Sequence, residues 1–255
     1  MLAMIAPLVL TTVLHAPRVA DAPSDPAAAT PAVADEGGRS LGAVVEDLPH
    51  AFGRLRRWKN LAVAGASAAA AAAVRRDDRD LAADAAGSRT LDRMTEGGSI
   101  VGSGYVQVAA AAAAWLSGTV SGHPGIEALG ADLLEAQAVN GVLTTALKYS
   151  VHRTRPNGGR YSFPSGHTSA TFATAEVLEE RYGLKAGIPA YALGAYVAAS
   201  RLHDRQHFAS DALVGAGVGL LSGRVTRASR GRRVTAAIVP VGRGAAVVGT
   251  VACPW

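Results

Sequence analysis

Alanine and glycine carry most of the apolar content of this chain, and that narrows the folds open to it. Of 255 residues, 49% are apolar, yet only 5% are aromatic and 29 are glycine. Two alanine runs, 68–73 and 109–114, sit in stretches with strong helix propensity, because alanine loses no side-chain freedom in a helix. A β-sandwich needs β-branched and aromatic strands. Small residues instead favour helices packed closely together. The expected fold class is all-α: a helical bundle with a four-helix core, two upstream helices and a short C-terminal β-hairpin.

The organisation along the chain follows. Residues 1–22 read as a signal peptide, with an apolar stretch from Leu2 to Leu14 and Ala20-Asp21-Ala22 as a cleavage site, although Lys and Arg are missing before it. Residues 23–39 are Pro/Ala-rich and read as a flexible linker. A helical domain is expected over 40–233, its motif core over 135–223, and a tail with the hairpin over 234–255. Helices are expected over 40–58, 60–74, 124–147, 167–182, 188–200 and 208–223, and 99–121 is the longest uncharged run. Asp77, Asp78 and Asp80 read as a charged helix end with neighbouring arginines, not as a metal site. Gly215, Gly219 and Gly223 suit close helix packing better than a nucleotide loop.

The net charge of +5 suits an anionic partner. Aromatics for base stacking are not interleaved with the basic residues, which argues against nucleic acid. Cys253 is the one cysteine, so no intramolecular disulfide forms. Helices 188–200 and 208–223 fall short of the roughly 20 apolar residues of a membrane span. An exported protein, soluble or peripherally associated with a membrane, is expected; an integral membrane protein is the alternative.

The chemistry gathers within 64 residues. Lys148 precedes Arg155-Pro156; Pro164-Ser165-Gly166-His167 follows; Ser200-Arg201 precedes His207 and Asp211. Lys148, Arg155 and Arg201 form a cation set suited to a tetrahedral oxyanion, arginine through its two parallel N–H donors. Ser165 and Gly166 open a helix whose N-terminal amides attract an anion, although Ser165 is equally an N-cap. His207 and Asp211 are four apart, so on one helix the carboxylate would hold the imidazole Nδ1–H and free Nε2. Arg153 and Arg160 read as solvated surface charges, and His203 as a surface or supporting residue. Glu135, Gln137 and Asn140 read as core hydrogen-bonding groups.

K-x6-RP, PSGH and SR-x5-H, in that order, resemble the signature of the type 2 phosphatidic acid phosphatase (PAP2) superfamily. That group includes bacterial class A acid phosphatases and vanadium haloperoxidases. The resemblance covers about residues 135–223. It implies a phosphatase that needs no metal or other cofactor. Its substrate would be a phosphorylated small molecule or a phospholipid: a phosphomonoester or pyrophosphate, free or lipid-linked. It also implies that His207 attacks phosphorus, that His167 protonates the leaving alcohol and then activates water, and that Asp211 supports His207. Lys148, Arg155, Ser165, Gly166 and Arg201 would bind phosphate. The alternatives are a vanadate-dependent haloperoxidase, against which the seven residues between Pro156 and Pro164 argue, and a non-catalytic phosphate-binding protein.

Overall fold

The computed structural model describes residues 38–88, 92, 96–227, 233–241 and 244–252. The expected signal peptide and nearly all of the expected linker lie outside the described residues. Among these residues are nine helices: α1 (Leu41–Arg54), α2 (Trp58–Val74), α3 (Asp78–Ala86), α4 (Glu96–Val101), α5 (Gly104–Ser121), α6 (Pro124–Val151), α7 (Gly166–Tyr182), α8 (Leu184–His203) and α9 (Ala209–Arg227). Strands β1 (Arg233–Val241) and β2 (Gly244–Ala252) form an antiparallel hairpin with Val241 opposite Gly244.

Local chemistry sets the helix ends. The Ser40 hydroxyl accepts from the Ala43 amide and starts α1. Proline stands in the first turn of α6. Gly183, at φ 75°, separates α7 from α8, a backbone region that disfavours other residues. The observed boundaries depart from expectation in several places. Helix α8 is 20 residues long, where 188–200 is expected. The charged stretch after α2 forms a helix of its own, α3. The uncharged run 99–121 breaks at Gly102-Ser103, where a Cβ on Gly102 would meet Val197 Cγ1 at 2.4 Å. Helix α6 runs to Val151 and stops at His152, left-handed at φ 52°, four residues before Pro156.

Arg39, expected in the linker, is fixed to the bundle. It pairs with Asp47, Asp132 and Glu135, and its carbonyl accepts from Trp115 Nε1. The buried carboxylates Asp132 and Glu135 explain this anchoring: each needs a cation once removed from water.

Helix α7 is central, packed on α6, α8 and α9; α5 covers α6 and α2 covers α9. Its contact with α9 depends on missing side chains. A Cβ on Gly215 would lie 2.6 Å from Ser165 O, and one on Gly219 would lie 2.3 Å from Ser169 O and 2.9 Å from Ala173 N. Because the obstacles at Gly219 include backbone, Gly219→Ala is expected to destabilise by about 2–3 kcal/mol, lowering Tm by about 5–10 °C. Gly65→Ala on α2, with nothing within 4 Å, is expected to be neutral or stabilising in the same melt. Equal losses would remove the close-packing explanation.

The chain path gathers the motifs. The C-terminal ends of α6 and α8 and the N-terminal ends of α7 and α9 meet at one end of the core. No described helix is long and apolar enough to cross a membrane.

Candidate active site

The loop between α6 and α7 is folded back on itself. Ser162 N donates to Arg153 O at 2.7 Å, and Arg155 N donates to Gly159 O at 2.8 Å. Lys148, near the end of α6, reaches into this loop. Its Nζ donates to Tyr161 O at 2.9 Å and Pro164 O at 2.8 Å, leaving a third N–H for another acceptor. Burial, with the Arg155 charge, pushes the Lys148 ammonium down to about 8 against an opposing pull from Asp211.

Arg155 is held by Arg160 O, which accepts from Nε at 3.0 Å, and by Gln206 Oε1, which accepts from Nη1. Arg201 is buried at the end of α8. Its guanidinium bonds Ser200 Oγ and pairs with Asp204. Burial depresses its pKa, and Asp204 opposes that shift.

His207 is 3% exposed. Its Nδ1 lies 2.6 Å from Ser162 O, so Nδ1 carries the proton and donates to the carbonyl. Nε2 keeps its lone pair. Burial first, then Lys148, Arg155 and His167, push its pKa down to about 3, against the Ser162 hydrogen bond. His167, in the first turn of α7, is also depressed, by burial and then by Arg201, Arg155 and Lys148, while a hydrogen bond to the Ser99 backbone opposes them. Lys148, Arg155, His167, Arg201 and His207 therefore form one electrostatic group.

One expectation is corrected. Asp211 does not hold the His207 imidazole. Helix α9 begins at Ala209, so His207 precedes it and the four-residue spacing is not a helical one. Asp211 Oδ2 instead accepts from Ser162 Oγ at 2.5 Å and from Phe208 N at 2.9 Å, and Oδ1 pairs with Arg153 at 2.6 Å. Its link to His207 passes through Ser162. Ser165 is fully buried, and its hydroxyl caps α7, sharing a 2.9 Å hydrogen bond with Thr168 Oγ1. Its amide donates to Asp211 O at 3.0 Å. Gly166 and His167 supply the N-terminal amides of α7, where a helix attracts an anion.

Sequence reasoning missed the bracing layer. Arg153 donates to Ser210 Oγ, Asp211 and Asp78, and its guanidinium lies 4.1 Å from the centre of the Phe208 ring. Asp78, expected at a solvated helix end, is buried and accepts from Ser210 N and Oγ. Ser162 and Gln206 carry no motif signal, yet they orient His207 and Arg155. His203 pairs with Asp92 at 2.9 Å. Among the described residues no three of His, Cys, Asp and Glu cluster as metal ligands. Gln137 and Asn140 make core hydrogen bonds.

The fold and site define a helical-bundle protein with a cluster of histidines and cations at one end. Residues 129–234 match the PAP2 superfamily. The chain is similar to a lipid A 1-phosphatase of Porphyromonas gingivalis, 38% identical over 92 residues, covering 34% of this chain and 21% of the relative. The chain thus spans about a fifth of the length of that curated relative. A transmembrane PAP2 type phosphatidylglycerolphosphate phosphatase from Bacillus subtilis shares the fold, with TM-score 0.53, 18% identity and coverage of 76% of this chain and 98% of the other. Aquifex aeolicus LpxE aligns with TM-score 0.47, 23% identity and coverage of 55% and 86%.

Proposed function

We propose that this chain is a metal-independent phosphatase that hydrolyses a phosphomonoester, or a terminal pyrophosphate, through a phosphohistidine on His207. One observation carries the reading. His207 is a buried, neutral imidazole whose Nδ1 is tied to Ser162 O, within the electrostatic reach of Lys148, Arg155 and His167. That is a fixed nucleophile beside a cation clamp.

The non-bridging oxygens of the substrate meet the third Lys148 N–H, the Arg155 and Arg201 guanidiniums and the Gly166 and His167 amides. His207 Nε2 attacks phosphorus, forming a P–N bond as the ester P–O bond breaks. His167 gives its proton to the leaving oxygen. Burial and then the surrounding cations depress His167 in the free enzyme; a bound phosphate dianion offsets the cations and favours the protonated acid. Water then loses its proton to His167 and attacks phosphorus, and the P–N bond breaks to release inorganic phosphate.

Two observations favour a lipid-borne ester. The similar Porphyromonas gingivalis protein is named for lipid A, and α5 exposes Tyr105, Val106, Val108, Leu116 and Val120. The leader expected over residues 1–22 supports action outside the cytoplasm.

The test is phosphate release without added metal from an aryl phosphate, phosphatidic acid and a polyprenyl diphosphate. Turnover should persist in EDTA and be blocked by vanadate, a mimic of the pentacoordinate state. No release from any substrate, or loss in EDTA, overturns the reading.

The clamp also predicts a pH effect. Lys148, at about 8 in the free site, is charged at pH 7 and mostly neutral at pH 9. KM should therefore rise about tenfold over that interval. Lys148→Arg keeps its charge and should not show this rise. A KM independent of pH in the parent protein would remove Lys148 from the clamp.

A further inference from the structure

An open cleft of about 960 Å³ lies beside the proposed phosphate site. Arg75, Arg76, Arg79, Arg153, Arg155 and Arg205 line it. Its one lining carboxylate, Asp78, is already engaged by Arg153 and Ser210. Arg75, Arg76, Arg79 and Arg205 have no carboxylate partner among the described residues, and all four are exposed. His167, Arg201 and His207 do not line the cleft. Arg155 belongs to both places, so it forms the wall between them.

Helix electrostatics account for only part of this cluster. Arg75 and Arg76 follow the C-terminal end of α2, where cations are favourable. Arg79 sits in the first turn of α3, where a cation opposes the helix dipole. Arg205 adopts a left-handed backbone at φ 53°, uncommon for a residue with a Cβ. Its Nη2 is 3.4 Å from Pro156 O, across the mouth of the motif loop. Like charges in one concavity repel, weakly where water and salt screen them, and a multi-oxygen anion would relieve that repulsion. Arginine is the side chain suited to a multi-oxygen anion because its donors act in pairs.

We propose that this cleft is a second anion subsite. It binds a second phosphate of the same substrate while the scissile phosphate faces His207. The inference rests on the phosphatase reading for its chemistry. It narrows the substrate class to molecules that carry two phosphates, one of them left intact. The subsite acts in binding and touches none of the reacting atoms.

The test compares hexyl phosphate with hexane-1,6-diyl bisphosphate as substrates of the full chain. It uses Arg76→Gln/Arg79→Gln, positions outside the proposed catalytic clamp. In the parent protein the bisphosphate should have a KM about tenfold or more below that of the monophosphate. The double variant should abolish that advantage and leave kcat and the monophosphate KM unchanged. Equal KM values in the parent, or an equal rise for both substrates in the variant, would overturn the subsite.

Binding is measured separately by calorimetry on His207→Ala, with hexane-1,6-diyl bisphosphonate and hexyl phosphonate. If turnover is absent but the bisphosphonate binds more tightly only when Arg76 and Arg79 are present, the phosphatase reading fails and the anion subsite stands. No difference between the two phosphonates overturns the subsite itself. Loss of binding to phosphatidylglycerol vesicles in the double variant, with the bisphosphate advantage intact, would assign the arginines to a membrane surface instead.

Discussion

Replacing His207 with alanine should abolish turnover and leave no trappable phosphoenzyme. The expected fall in kcat is about 10⁴-fold or more, the order seen when a covalent nucleophile is deleted and its electrostatic surroundings survive. Rapid quench with a ³²P-labelled ester provides the readout: the parent protein should retain acid-labile label on histidine, and the variant none. Full activity in the variant would end the phosphohistidine mechanism. A second, independent measurement follows from the burial of this imidazole. Its folded pKa is lowered to about 3, so below pH 6.5 the unfolded chain binds a proton that the folded one refuses. Folded stability should therefore decline as pH falls from 6.5 towards 3, through this group. His207→Ala should remove that part of the acid sensitivity. It should also lose about 1–2 kcal/mol near neutral pH, because Ser162 O forfeits its buried donor.

Sequence carried the inventory of this site but not its wiring. That Lys148, Arg155, His167, Arg201 and His207 come together was legible because their motifs lie at helix ends, and the alternating direction of successive helices puts those ends on one side. The packing role of Gly215 and Gly219 was legible from four-residue spacing alone. Asp211 was misassigned because spacing on a helix presupposes where the helix begins. With α9 starting at Ala209, His207 belongs to the loop and finds its acceptor 45 residues away in Ser162. Asp78 was illegible for a similar reason. Beside Arg75, Arg76 and Arg79 it looked neutralised locally, yet it is buried against Arg153 and Ser210, across 75 and 132 residues of chain. Buried polar pairs formed over such separations leave no periodic trace.

The wiring gives the site a single mechanical support. Arg153 ties Asp78 on α3 to Asp211 on α9. Asp211 holds Ser162 through its hydroxyl, and Ser162 holds His207 through its carbonyl. Asp211 also accepts from Phe208 N and, through its carbonyl, receives the Ser165 amide. His207 and the start of α9 thus depend on the Asp211 carboxylate, the start of α7 on its backbone carbonyl, and the carboxylate is paired with one guanidinium. On the proposed mechanism this arrangement would make Arg153 a positioning residue.

Arg153→Ala should accordingly be among the most damaging substitutions outside the reacting groups. It strands two carboxylates, Asp78 at 3% and Asp211 at 0% side-chain exposure, without their cation. Removing one partner of a buried pair typically costs about 3–5 kcal/mol, here lowering Tm by roughly 10–15 °C. Lost stability alone would not identify the role, so the decisive comparison uses Asp78→Asn combined with Arg153→Met. That pair removes one stranded charge together with the cation and restores volume, and should recover part of the lost Tm. Turnover measured below the Tm of both variants should remain depressed through kcat, with KM nearly unchanged, because Ser162 no longer fixes the His207 tautomer while the clamp cations are intact. Recovery of kcat in parallel with Tm would reduce Arg153 to a purely structural residue. A rise in KM at constant kcat would move it into the phosphate clamp.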